Sequence, residues 1–150
     1  GDPKAYTFAR PMLNQDNHDF SFSGLKTSVR YFLDKNPRLA EDDTVLPDLC
    51  ASIQEAIIEV LVKKTIRAAR RQRLSCITLS GGVACNTGLR KAFQEACEQH
   101  EFNLRIASQN LCTDNAAMIG LLGERYFCQT PLETDWQADI RPSWRLTRPA

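Results

Sequence analysis

The sequence predicts an α/β fold in which helices pack on a small parallel sheet. Two short β-prone stretches, 74–79 and 102–107, are separated by a segment with helical spacing. A strand–helix–strand order within one sheet makes the two strands parallel. Long stretches on either side repeat apolar residues at three and four positions, the mark of helices with a buried face. Two strands are few beside the ~5 of an average sheet, so part of the domain is expected to lie outside this chain.

Each element has its own signal. Residues 1–20 are polar and rich in turn formers (Pro3, Pro11, Asn14, Asp16, Asn17) and read as an irregular lead-in. Alternating aromatics Phe20 and Phe22 then give way to a Ser23-Gly24 turn. A helix of about three turns follows through Leu33 and stops at Asn36-Pro37. Residues 38–47 form a charged loop. A long helix over 48–72 buries one face through Leu49, Ile53, Ala56, Ile57, Val60 and Leu61. Lys63, Lys64, Arg67, Arg70, Arg71 and Arg73 crowd its end, where cations complement the helix dipole and stay solvated. A tRNA-binding patch is the alternative for these six.

Residues 74–79 read as a buried strand ending at Ser80-Gly81-Gly82. A helix over 86–99 is capped by Asn86 and buries Leu89, Phe93 and Cys97. After the second strand, Thr113 or Asp114 caps a helix from 115 to about 127. The domain reading is a nucleotide-binding lobe over 1–132 and an extended tail over 133–150, laid over a surface by Trp136 and Trp144.

Composition bounds the function. With 150 residues the chain can build one core. No apolar run approaches the ~20 residues that span a bilayer. The chain opens on the polar Gly1-Asp2-Pro3-Lys4 without Met, which reads as a processed start or a tag scar or, as the motifs below favour, as a longer protein cut there. A net charge of +1 carries no nucleic-acid signal. The six cysteines include no C-x-x-C pair, which argues against a zinc site, and their apolar settings suit core thiols in a reducing cytoplasm.

Three stretches could carry chemistry. In Leu79-Ser80-Gly81-Gly82-Val83-Ala84-Cys85-Asn86 a strand runs through a Gly-Gly turn into a helix. Glycines let a ligand approach the backbone, and the helix start offers free N–H groups to an anion. A structural turn without ligand is the other reading. In Cys112-Thr113-Asp114-Asn115-Ala116-Ala117-Met118-Ile119-Gly120, Asp114 sits at the C-terminal rim of the sheet, where open α/β folds bind ligands. There it can ligate a metal, cap the helix, or do both. In Ser21-Phe22-Ser23-Gly24-Leu25-Lys26, Lys26 near a helix start could reach a phosphate or a backbone carbonyl, but the favoured reading is a solvated lysine with Phe20, Phe22 and Leu25 in the core. The histidines, His18 and His100, form no pair, and no catalytic nucleophile–base set is present.

Taken in order, Asp19-Phe20-Ser21-Phe22-Ser23-Gly24-Leu25-Lys26-Thr27, Gly81-Gly82-Val83-Ala84-Cys85-Asn86 and Thr113-Asp114-Asn115-Ala116-Ala117-Met118-Ile119 resemble the signature stretches of the tRNA N6-adenosine threonylcarbamoyltransferases. These enzymes were formerly labelled O-sialoglycoprotein endopeptidases. Arg10-Pro11-Met12 and Ile140-Arg141-Pro142-Ser143-Trp144 resemble the bacterial or organellar branch. The resemblance implies a lobe of the actin, hexokinase and heat-shock ATPase fold. It implies transfer of threonylcarbamoyl from threonylcarbamoyl-AMP to N6 of the adenosine beside the tRNA anticodon. It also implies a pseudo-enzyme relative and a small ATPase as partners, and a cytoplasmic enzyme without a membrane.

Residue by residue, the resemblance makes Asp114 a ligand of one divalent metal ion (iron, zinc or magnesium). It makes Asn86 a contact to the adenylate, and Gly81 and Gly82 the loop beneath the nucleotide. No residue is assigned as catalytic. The family's other metal ligands are histidines of an H-x-x-x-H motif, which this chain lacks. The resemblance therefore implies the C-terminal part of the enzyme, weak in metal binding and inactive alone. Cys85 stands where the family often has a small residue. The rival readings are a sugar kinase or ATPase of the same superfamily and a non-catalytic, partner-binding helical subdomain. The protease label finds no support, because no H-E-x-x-H is present.

Overall fold

A computed structural model describes residues 1–129, with Gln137 and Asp139. The expected tail over 133–150, including Trp136 and Trp144, otherwise lies outside the described residues. The chain divides into two compact units, Gly1–Thr113 and Asp114–Ala150.

The first unit runs α1 (Ser23–Lys35), α2 (Leu46–Arg71), β1 (Cys76–Leu79), α3 (Thr87–Gln99) and β2 (Asn103–Ile106), with short 3-10 turns between them. The two strands pair in parallel, Cys76 opposite Asn103 and Leu79 opposite Ile106. The α/β expectation holds at this level.

Helix α1 begins at Ser23, so the expected Ser-Gly turn is already helix. Gly24 fits there because a Cβ would come within 3.2 Å of the Pro11 ring. The helix stops where Asn36 N–H bonds back to the Phe32 and Leu33 carbonyls, ahead of Pro37. A 3-10 turn, Pro37–Ala40, occupies part of the expected loop. Pro47 lies in the first turn of α2, where its missing N–H has no helical partner to lose.

Two apolar clusters form the core, and α2 serves both. Its first half packs Leu49 and Ala56 with Phe8 and Leu25. Tyr6 and Phe8 meet the Phe32 ring edge-on at 5.3 and 5.4 Å. Its second half packs Ile58, Ile66 and Ala69 with Ile77, Leu89, Phe93 and Cys97. The helix is therefore buried on two faces in succession rather than on one. Apolar residues spread around both sides make this possible, and the single-stripe reading missed Ile58.

Strand β1 corrects a second expectation. Ile77 is buried and Leu79 half-buried, while Cys76 and Thr78 are exposed. β2 alternates in the same way. The pair thus buries one face against the helices, with the period of two of a one-sided sheet. Of the cysteines, Cys97 and Cys112 are buried, whereas Cys50 and Cys76 are exposed, so the core-thiol reading holds for part of the set.

At the basic end of α2, Lys63, Arg70, Arg71 and Arg73 are exposed, as expected, while Lys64 and Arg67 depart from expectation. Lys64 is 1% exposed. Its Nζ donates to the Met12 carbonyl and to Asn17 Oδ1, both at 3.0 Å, and lies 5.7 Å from the centre of the Phe20 ring. Arg67 donates to the carbonyls of Leu13 and Gln15, and Arg71 pairs with Asp16. The three cations tie down the 12–17 loop, Lys64 from a buried position and Arg71 from an exposed one. Phe20, expected in the core, is 45% exposed and covers the lysine.

Both α2 and α3 end in a left-handed residue that is not glycine. Arg73 (φ 53°) and Glu101 (φ 58°) occupy these positions. Leu74 N–H then bonds to the Ala69 carbonyl and Phe102 N–H to the Cys97 carbonyl, which turns each helix directly into the following strand.

The second unit, taken by itself, contributes α4 (Ala116–Gln129). Its cap is Asn115, whose Oδ1 accepts from Met118 N–H at 3.1 Å. The capping position is thus one residue beyond Asp114, the later of the two expected candidates. The helix starts one residue later than the sequence suggests, and an asparagine amide caps as well as a carboxylate.

Candidate functional site

The site begins where β1 ends. Gly81 takes φ 93° and ψ 166°, a backbone region that side-chain-bearing residues rarely enter. Glycine is required there by conformation. Gly82 differs: its φ is not positive, and a Cβ built on it would meet no described atom within 4 Å. Among the described residues, neither backbone geometry nor packing demands glycine at 82. Its effect is to leave open space above the turn.

Beyond a 3-10 turn, Gly82–Cys85, Asn86 caps α3 as expected. Its Oδ1 accepts from Leu89 N–H at 2.8 Å, and its Nδ2 donates to Gln54 Oε1 of α2 at 2.7 Å. Gly88 allows this approach of the two helices. A Cβ there would stand 3.2 Å from Gln54 Nε2 and from Ile58 Cδ1, and 3.3 Å from Asn86 Oδ1. Beside the pair lies a pocket of about 300 Å³, lined by Ile53, Ile57, Leu61 and Val83, with the two amides among its polar groups.

Arg90 braces the turn. Its guanidinium donates to the Ala84 carbonyl, to the Ala107 carbonyl at 2.8 Å and to Cys112 Sγ at 3.2 Å. The Gly-Gly turn and the chain leaving β2 are thereby held to one side chain. Cys85 adds a weak contact to the Gln109 carbonyl at 3.7 Å. Gln54 and Arg90 were not singled out from the sequence. Gln54 lies 32 residues before its partner in a different helix, so no local spacing marks it.

Gly81, Gly82 and Asn86 are thus brought together in the first unit. Asp114 opens the second unit, immediately before the Asn115 cap. Among the described residues no group of three or more His, Cys, Asp or Glu side chains could hold a metal ion. Asp114 offers one carboxylate, and a stable site for iron, zinc or magnesium needs further donors. These residues alone do not fit the metal. Lys26 is exposed, as expected, and so are His18 and His100. A larger open groove of about 630 Å³ between the ends of α2 and α3 includes Ile66, Arg70 and His100 and none of the motif residues. No helix among the described residues is long and apolar enough to cross a membrane.

Residues 1–121 match the family described as tRNA N6-adenosine threonylcarbamoyltransferase. Proteins of that name are similar to the chain. The one from Syntrophotalea carbinolica is 44% identical over 146 residues, covering 97% of this chain and 42% of the relative. The one from Trichlorobacter lovleyi is 44% identical over 151 residues, covering 96% and 44%. That from Thermotoga neapolitana is 43% identical over 123 residues, covering 82% and 36%. The chain spans less than half the length of these curated relatives.

Proposed function

Because this chain belongs to the tRNA N6-adenosine threonylcarbamoyltransferase family, we propose that it supplies part of an enzyme that moves threonylcarbamoyl from threonylcarbamoyl-AMP to N6 of the adenosine beside the tRNA anticodon. The lobe is of the actin and hexokinase type, and the adenylate lies over Gly81 and Gly82 with Asn86 as a polar contact. The observation that carries this reading is Gly82: a glycine with no conformational or packing need, in a turn beside a fixed amide at a helix start.

The chemistry asks for positioning. N6 of adenosine bonds to the carbamoyl carbon and loses a proton to solvent, while the bond from that carbon to the phosphate oxygen breaks and AMP leaves with the oxygen and its electron pair. No covalent nucleophile is needed, so the rate comes from orientation and from dipoles set before the reaction. The Gly-Gly turn and the first N–H groups of α3 provide such dipoles for the adenylate. Asp114 contributes one ligand to a divalent ion whose other ligands come from outside the described residues. The 150-residue chain by itself therefore binds metal weakly and transfers nothing. The partners are tRNA, a pseudo-enzyme relative and a small ATPase, in the cytoplasm.

The test exchanges this chain for the stretch it matches in the Syntrophotalea carbinolica relative. Labelled threonine incorporated into tRNA is then measured, with and without Asp114→Ala. Incorporation that the substitution abolishes in a folded protein supports both the transfer and the role of Asp114. Equal labelling by both would remove the metal role, and no labelling by either, where the unexchanged relative labels, would remove the transfer.

A further inference from the structure

Asn86 has a second tie beyond its cap. An amide carries two N–H donors and two oxygen lone pairs. One lone pair is taken by Leu89 N–H and one N–H is given to Gln54 Oε1, so one donor and one acceptor remain. The cap bond alone leaves the amide plane free to swing about the oxygen. The 2.7 Å bond to Gln54 fixes the plane from the opposite end. Gln54 is exposed, and among the described residues this is its side chain's one hydrogen bond, so the fold makes little other use of that side-chain amide. Independently, Gly88 omits a Cβ that would stand 3.2 Å from Gln54 Nε2 and 3.3 Å from Asn86 Oδ1, which keeps room where the two side chains meet.

We propose that Gln54 is a positioning residue for ligand recognition: it acts through Asn86, aiming that side chain's remaining donor and acceptor at an adenylate on the Gly-Gly turn. The inference rests on the reading of Asn86 as an adenylate contact. Gln54 touches no ligand in this account. What it supplies is an acceptor oxygen at a fixed point on the rigid helix α2.

The test uses the 150-residue chain, labelled with nitrogen-15 and titrated with AMP, following the amide signals of Gly81, Gly82 and Asn86. Gln54→Leu should weaken AMP binding about three- to tenfold, the range of one ordinary hydrogen bond. Gln54→Glu keeps the acceptor oxygen and should stay within about twofold of the parent. Asn86→Ala should weaken binding at least as much as Gln54→Leu. Adding Gln54→Leu to Asn86→Ala should then change nothing further, because the residue through which Gln54 acts is gone. If Asn86→Ala weakens binding and Gln54→Leu does not, the positioning role is overturned and the reading of Asn86 stands. Equal extra loss from Gln54→Leu in both backgrounds also overturns it. If saturating AMP leaves the signals of the parent chain unmoved, the reading of Asn86 fails and takes the role of Gln54 with it.

Discussion

Lys64 Nζ donates to Asn17 Oδ1 at 3.0 Å, a bond between a buried cation and a neutral amide 47 residues away. The Met12 carbonyl and the Phe20 ring complete its surroundings. The lysine is solvated by the chain itself, and the stretch leading into α1 is held by it. Lys64→Met keeps the bulk and removes the donors. It should cost about 1–3 kcal/mol in urea unfolding, the penalty for leaving such acceptors unmet. Arg70→Met, on the same helix end and exposed, should change stability by less than about 0.5 kcal/mol. Equal effects of the two would show that Lys64 is not an anchor.

Arg73 and Glu101 hold left-handed backbone at the ends of α2 and α3. A side chain there costs roughly 1–2 kcal/mol that glycine avoids, offset in part by glycine's freedom in the unfolded chain. Arg73→Gly and Glu101→Gly should each raise stability by about 0.5–1 kcal/mol in thermal unfolding. A fall in the midpoint for both would contradict this account of the two helix ends.

Asn115 caps α4, and Asp114 does not. Asn115→Ala should lower the helix content of the second unit and cost about 1 kcal/mol. Asp114→Ala should leave circular dichroism unchanged. That separation matters for the activity test, because loss of transfer in Asp114→Ala then cannot be assigned to a melted helix. Equal loss of helix signal in both variants would return the capping role to Asp114.

Glu59 accepts from Lys63 Nζ at 2.6 Å and from Arg10 Nε at 2.8 Å. The hydrogen bond from Lys63 is the main cause that draws its carboxyl below the ordinary 4.5, with Arg10 adding to it and partial burial opposing. A carboxylate depressed in the folded state binds protons more readily when unfolded. Its contribution is present above 4.5 and is lost as pH falls through the lower folded value. Urea midpoints of the parent and Glu59→Gln should therefore differ most above 4.5 and converge as the pH is lowered below it. A difference independent of pH would rule the carboxylate out as its source.

Burial pushes the Cys97 thiol up, with a smaller contribution from Cys76. Cys97 should therefore stay unmodified by iodoacetamide at pH 8 while Cys50 and Cys76 react, as read by peptide mass spectrometry. Early modification of Cys97 would show that the helix-and-sheet cluster opens on the timescale of labelling.

The order of elements and the Asn86 cap were legible because they depend on local patterns: apolar spacing, a capping residue before a helix, Pro37 after one. Three things were not legible. The role of Lys64 depends on one carbonyl and one side-chain amide in a loop with no pattern of its own. Gln54 meets Asn86 only because Gly88 lets two helices come close. The one-sided burial of β1 depends on what covers the sheet, and a run such as Cys76-Ile77-Thr78-Leu79 reads equally well as covered on both sides. In the site, the Gly-Gly turn stood out as glycines, yet their different reasons, conformation at Gly81 and open space at Gly82, need coordinates.

Helix α2 is 26 residues long, about 39 Å of continuous rod. Its two halves belong to different clusters, so neither cluster can come apart without fraying the beam that the other rests on. Unfolding of Gly1–Thr113 should then be all-or-none, and amide exchange along α2 should report one opening energy instead of two. A defect cut at Leu49 would be felt at Ile66, several turns away, as the loss of a shared foundation.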